Sequence, residues 1–183
     1  MLSRADGSRL PLASGSMASA FSNSVLEHIP PVDAVLREIG RVLAKGAPLA
    51  FTVPNPAFLS ELSVRGALRK IGAEALADSY AAWFRWITRV KHLDEEGTWA
   101  ARLSQAGFHL ERTFRYFSPE ALRVMEWGHY FGAPSLLARW ITGRWIVWPA
   151  PLNLRLTLSL IRRYDESSAR PDGTFTFYLA RRK

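Results

Sequence analysis

Glu27 and His28 stand side by side in the stretch Phe21-Ser22-Asn23-Ser24-Val25-Leu26-Glu27-His28-Ile29-Pro30. A histidine beside a glutamate has a pKa suited to general-base work near neutral pH. Neighbouring positions on a helix point about 100° apart, however, so the two side chains do not automatically share a task. Ahead of them, Ser22, Asn23 and Ser24 offer short polar side chains and free backbone groups. Such residues face a ligand or cap a helix, and the two roles are compatible. The chain has no cysteine. That excludes disulfides, thiolate metal ligands and cysteine nucleophiles.

A helix and two strands frame this stretch. Val35, Leu36, Ile39, Val42 and Leu43 recur at i, i+1, i+4, i+7 and i+8, which predicts a helix with one apolar face. Asp33 falls in its first turn, where negative charge suits the helix dipole. Gly46 comes after the last apolar pair as a stop signal. Leu49-Ala50-Phe51-Thr52-Val53 then reads as a buried strand. A weaker strand, Ala18 to Phe21, leads into the polar loop. A strand–loop–helix–strand unit is half of an open α/β sheet, whose ligands bind beyond the carboxyl ends of the strands. The loop Ser22 to Ser24 lies at one such end.

Leu10-Pro11-Leu12, the stretch Ser22 to Pro30, then Val35-Leu36-Arg37-Glu38-Ile39 and Arg41-Val42-Leu43 together resemble the second half of a class I S-adenosylmethionine-dependent methyltransferase. The group most similar is the small-molecule kind called methyltransferase type 11. The resemblance covers about residues 5 to 55, and extends to 94–117 and 174–183 by element order. It implies an α/β fold, a Rossmann-like methyltransferase sheet, and S-adenosylmethionine as cofactor. It also implies that Asp6, with Gly7 beside it, accepts a hydrogen bond from the adenine amino group. A carboxylate is an acceptor-only group and that amine is a donor. Ser22 and Asn23 would pass the methionine end of the cofactor. The expected cofactor residues are thus Asp6, Gly7, Ser22 and Asn23, and no catalytic residue is assigned. The Glu-His pair occurs in relatives with very different substrates, which points to a loop-ordering role.

The chain also departs from the family. Ala18 stands where relatives carry Asp, and Ala44-Lys45-Gly46-Ala47 stands where they carry Lys-Pro-Gly-Gly. The family's Gly-rich turn after its first strand, and the acidic residue after its second, have no counterpart. The expectation is one partial methyltransferase domain over 1–183, incomplete at its N-terminus, with helical insertions at about 56–93 and 118–165. A sheet lacking its first strands exposes an edge that invites association.

Residues 55 to 93 read as two helices, the second with the stripe Leu76, Tyr80, Trp83, Ile87 and Val90. Such a stripe packs on the core or forms a lid over a substrate. Asp94-Glu95-Glu96 opens a helix with Trp99, Leu103 and Ala106 on one face, and Phe108 to Phe117 is a strand. Ser118-Pro119-Glu120 opens another helix. Asp172-Gly173 turns into a last strand, which the resemblance places antiparallel in the sheet, and the tail Arg181-Arg182-Lys183 reads as solvated.

The net charge is +8. A basic surface accounts for it, and a face for anionic lipid is the more specific reading. No run of Lys or Arg and no binding motif supports nucleic acid. Aromatics across 118–163, with five Arg and no Asp or Glu between Leu136 and Arg163, suit a membrane interface, and a large insertion packed on the core is the plainer reading. Arg4, Asp6 and Arg9 interrupt any signal-peptide run, which fits a cytoplasmic protein with a peripheral membrane contact. The functional expectation is methyl transfer to a small-molecule or lipid-like acceptor. The alternative is a non-catalytic remnant acting as a membrane- or partner-binding module.

Overall fold

A computed structural model describes residues 4–128, 133–143, 155, 158–159, 162–164 and 169–183. In chain order the elements are β1 (Ala20–Asn23), α1 (Val32–Val42), β2 (Pro48–Pro54), α2 (Ala57–Ser60), α3 (Ser63–Lys70), α4 (Glu74–Ile87), α5 (Glu96–Gln105), β3 (Phe108–Tyr116), α6 (Pro119–Gly128), α7 (Ala133–Thr142) and β4 (Phe175–Arg182). Short 3-10 turns cover Leu26–His28 and Arg162–Tyr164. The chain divides into two compact units. One holds Met1–Pro56, Val90–Arg115 and Phe175–Lys183; the other holds Ala57–Arg89 and Tyr116–Thr174.

In the first unit the four strands form one sheet in the order β1-β2-β4-β3. β2 pairs parallel with β1 and antiparallel with β4, which enters the sheet between β2 and β3. Val35, Leu36, Val42 and Leu43 are buried as the helical spacing requires, with Ile39 packed against them. Phe51 stacks on Tyr178 at 4.8 Å between ring centroids, and Trp99 of α5 lies 5.4 Å from Phe51. All three rings are fully buried. Each such side chain contributes roughly 1.5–3 kcal/mol by leaving water.

The approach of α1 to α5 depends on Gly40. A Cβ there would lie 2.8 Å from the Ala106 carbonyl oxygen. Arg102 ties α5 to α1 through Asp33 in the first turn of α1 at 3.2 Å, and it also holds Asp94, just ahead of α5, at 2.6 Å.

The C-terminal tail is exposed at Arg181 and Lys183, as expected of a solvated tail, but it is also bonded into the fold. β4 runs through Arg182, whose guanidinium donates to the carbonyls of Gly40 and Gly107, while Arg181 bonds Glu111 and the Gly46 carbonyl. The backbone ladder carries these arginines to the ends of α1 and α5, where unpaired carbonyls need donors.

In the second unit the region 57–89 holds three helices rather than two: the chain is extended at Leu62, between α2 and α3, and Gly72 at φ +75° ends α3 before α4 begins. The face that α4 buries is Ala77, Ala81 and Phe84, and Leu76 is exposed. The alanines permit close helix approach, so packing turned the helix away from its most apolar stripe. Val90 lies beyond α4 and is buried in the first unit.

Gly173, just ahead of β4, is buried against Tyr116. Glu126 organises the packing of this unit. Its buried carboxylate accepts from the Ser63 and Val64 backbone N–H groups, the Ser63 hydroxyl and the Tyr80 hydroxyl. The first two are orphan donors at the start of α3, so a side chain from α6 caps a helix more than sixty residues earlier.

Candidate functional site

β1 ends at the residues that could meet a ligand, and its boundary differs from the expected one. The strand covers Ala20–Asn23, so Ser22 and Asn23 belong to it, paired in register with Phe51 and Thr52. Their backbone groups find partners in the parallel ladder, which outweighs the weak strand propensity of Ser and Asn. Ser24 then breaks the strand at φ +49°.

Thr52 orients this end of the sheet. The Ser24 N–H donates to the Thr52 hydroxyl oxygen at 3.1 Å and to its carbonyl at 3.1 Å. The hydroxyl in turn donates to Asn23 Oδ1 at 2.6 Å. That bond holds the Asn23 amide by its oxygen and leaves its NH2, two donors, to the outside. Asn23 is an exposed residue and Thr52 a buried one.

Asp6 and Gly7 lie on a separate support. Asp6 Oδ1 accepts from both the N–H and the hydroxyl of Ser8 at 2.8 Å, closing a tight Asx turn. The Ser8 N–H lowers the Asp6 pKa, with the Ser8 hydroxyl adding to it. The residue is an ionised, exposed acceptor at neutral pH. A Cβ on Gly7 would make ordinary contact with Val35 of α1 at 3.5 Å. Glu38 and Arg41 of α1 fasten the chain from Leu10 to Ser14. Glu38 accepts from the Leu10 N–H at 2.8 Å and from Arg41, which also reaches the Leu10 carbonyl and Ser14. Arg41, and then the Leu10 N–H, hold the Glu38 carboxyl down at about 2. Among the described residues no hydrogen bond joins Asp6 to Ser22 or Asn23; Ser8 holds Asp6, and Thr52 of β2 holds Asn23.

The Glu-His pair comes shortly after β1. Glu27 and His28 sit in a 3-10 turn, with His28 Nε2 3.6 Å from Glu27 Oε1. The Glu27 side chain is buried, and its Oε2 has no hydrogen-bond partner. Burial raises its pKa, against the attraction of His28. Its backbone carbonyl accepts from the N–H groups of Lys91 and His92. This tethers the turn after β1 to the chain entering α5.

A family model described as a methyltransferase domain matches residues 2–51. That span contains Asp6, Gly7, Ser22 and Asn23. Solved structures extend the likeness along the whole chain. The (4+2)-cyclase SpnF is 21% identical with a TM-score of 0.51, covering 98% of this chain and 54% of its own. Geranyl diphosphate methyltransferase, in complex with GPP and sinefungin, is 14% identical with a TM-score of 0.52, covering 98% and 52%. The phosphoethanolamine N-methyltransferase 2 of Haemonchus contortus, in complex with phosphomonomethylethanolamine and S-adenosylhomocysteine, is 13% identical with a TM-score of 0.50, covering 97% and 36%. The fold is that of the class I methyltransferases. No curated protein matches the chain.

The methyltransferase resemblance therefore stands by sequence over residues 2–51 and by fold beyond them. The chain spans about half the length of SpnF and of geranyl diphosphate methyltransferase, at 54% and 52%. SpnF carries this fold and is described as a cyclase, so the fold alone does not name a reaction. Sequence reasoning missed Thr52, Glu38 and Glu126. A threonine inside an apolar strand, Thr52 between Phe51 and Val53, is the one local signal among the three.

Proposed function

We propose that this chain takes part in S-adenosylmethionine-dependent methyl transfer to a small-molecule or lipid-like acceptor, using Asp6, Gly7, Ser22 and Asn23 toward the cofactor. One observation carries the reading. Within the span that matches the methyltransferase domain, two polar groups are braced by neighbours yet left open to a ligand: the Asp6 carboxylate and the Asn23 amide NH2. They match two parts of that cofactor. An ionised carboxylate accepts from the adenine amino group, and an outward NH2 donates to the carboxylate of the methionine end. Ser22 adds a hydroxyl on the same strand, and Gly7 keeps the backbone beside Asp6 uncluttered.

The bound cofactor would supply an electrophilic methyl group. What these residues would do is orient it, and for an in-line transfer positioning is the main source of rate. Thr52 serves this by fixing which end of the Asn23 amide faces outward.

The second reading is a non-catalytic methyltransferase remnant that binds a membrane or a partner chain. It is favoured by the lack of a Gly-rich strand–turn–helix among these residues. Calorimetric titration with S-adenosylhomocysteine separates the two. Saturable binding that weakens about tenfold or more in Asp6→Ala and in Asn23→Ala is expected, since each loses hydrogen bonds worth about 1.5–3 kcal/mol where a charged group is involved. A folded sample that takes up no ligand would leave the binding-module reading.

A further inference from the structure

We propose that α7 is an interfacial helix that seats this protein on an anionic lipid surface. The inference is independent of the cofactor reading. On α7, Leu137, Trp140 and Ile141 recur at i, i+3 and i+4 and so share one face. That face is bare: Leu137 is 59%, Trp140 84% and Ile141 68% exposed. Arg139 and Thr142 fall on the roughly opposite side of the helix and are exposed too. The helix thus has its apolar strip exposed along with its polar side, unlike a helix that packs such a strip on a core. At about 1.5 Å per residue its ten residues reach about 15 Å, half of what a span needs. Among the described residues no helix is long and apolar enough to cross a membrane. A helix of this kind lies in the plane of the interface, with Trp at headgroup depth and Arg toward the phosphates.

The charge around it selects the occupant. From Trp127 to Tyr164 the sequence has five Arg and no Asp or Glu. Arg155, Leu158 and Arg162 of this stretch are exposed as well. A second copy of the chain would bring the same five positive charges against them, and like charges oppose that contact. An anionic bilayer takes both features at once: its acyl boundary covers Leu137, Trp140 and Ile141, and its phosphates meet the guanidinium groups.

Flotation of the 183-residue chain with vesicles tests this. Vesicles of phosphatidylcholine alone are compared with vesicles that also contain phosphatidylglycerol. The expected result is capture by the anionic vesicles, weakened by salt, with a blue shift of tryptophan emission. Replacing Trp140 and Ile141 with Ser should lower the bound fraction by about tenfold or more with an unchanged melting curve, because both side chains are exposed. Trp86→Ser, on exposed α4 surface, should leave binding intact. Unchanged binding by the double variant, or no binding by the folded parent, overturns the proposal. So does sedimentation that shows a Trp140-dependent dimer in place of vesicle capture.

Discussion

Glu27 is a carboxyl group that the fold keeps out of water with one oxygen unpartnered. Burial raises its pKa, so the folded chain holds this proton more tightly than the unfolded chain. The sign comes from linkage. The contribution to stability is fully present below the ordinary glutamate value and is lost as pH rises through the higher folded one. Glu27→Gln keeps the shape and cannot ionise. Its melting temperature should exceed that of the parent at neutral pH, with the advantage shrinking as pH falls; thermal melts across that range read it directly. Glu38 runs the other way. Its pKa of about 2 means that its hold on Leu10 is complete above the ordinary glutamate value and fails only in strong acid. The segment that carries Asp6 therefore stays fastened to α1 wherever the protein is folded near neutral pH.

Elements here are joined by single decisive contacts. Gly40 lets α1 approach α5, and a methyl group at that position would meet a backbone oxygen that cannot swing away. Alanine gains helix propensity of up to about 1 kcal/mol over glycine. Overpacking costs about 1–3 kcal/mol, so Gly40→Ala should be net destabilising by chemical denaturation. In the helical unit, Glu126 supplies the acceptors for the start of α3 and for Tyr80. Desolvation, and then this carboxylate, raise the Tyr80 pKa well above its ordinary value. Glu126→Ala would strand four donors at once and should cost about 2–4 kcal/mol, read as a lower denaturation midpoint with unchanged slope.

Across the whole molecule the sheet has a bare edge. Among the described residues β1 pairs only with β2, and Phe21 on that strand is 71% exposed. A short strand with an aromatic side chain and free backbone groups is a template for pairing with another chain. The net charge of +8 opposes self-association at low salt. Sedimentation velocity should therefore show association that grows with salt and protein concentration, and Phe21→Lys should suppress it. Association that persists in that variant would place the contact elsewhere.

Periodic segments were legible without a structure. α1, β2, α5 and β4 emerge from spacing and stop signals, because each buries one face against one sheet and its residues repeat with the matching period. Asp6, Gly7, Ser22 and Asn23 could be proposed from the sequence because the family resemblance is carried by short-range motifs. What they do to one another was not legible. That Asn23 is a strand residue, that Thr52 turns its amide outward, and that Glu38 braces the Asp6 segment all depend on partners some 28 or 29 residues away. The bonding of Arg181 and Arg182 spans 135 and 142 residues, so a basic tail read locally looks only solvated. α4 shows the same limit: its composition fixed a helix, but the neighbour that could approach closest decided that alanines, not Leu76, face inward. Period and chemistry are properties of the chain; register, burial and the direction of a hydrogen bond arise only when distant segments meet.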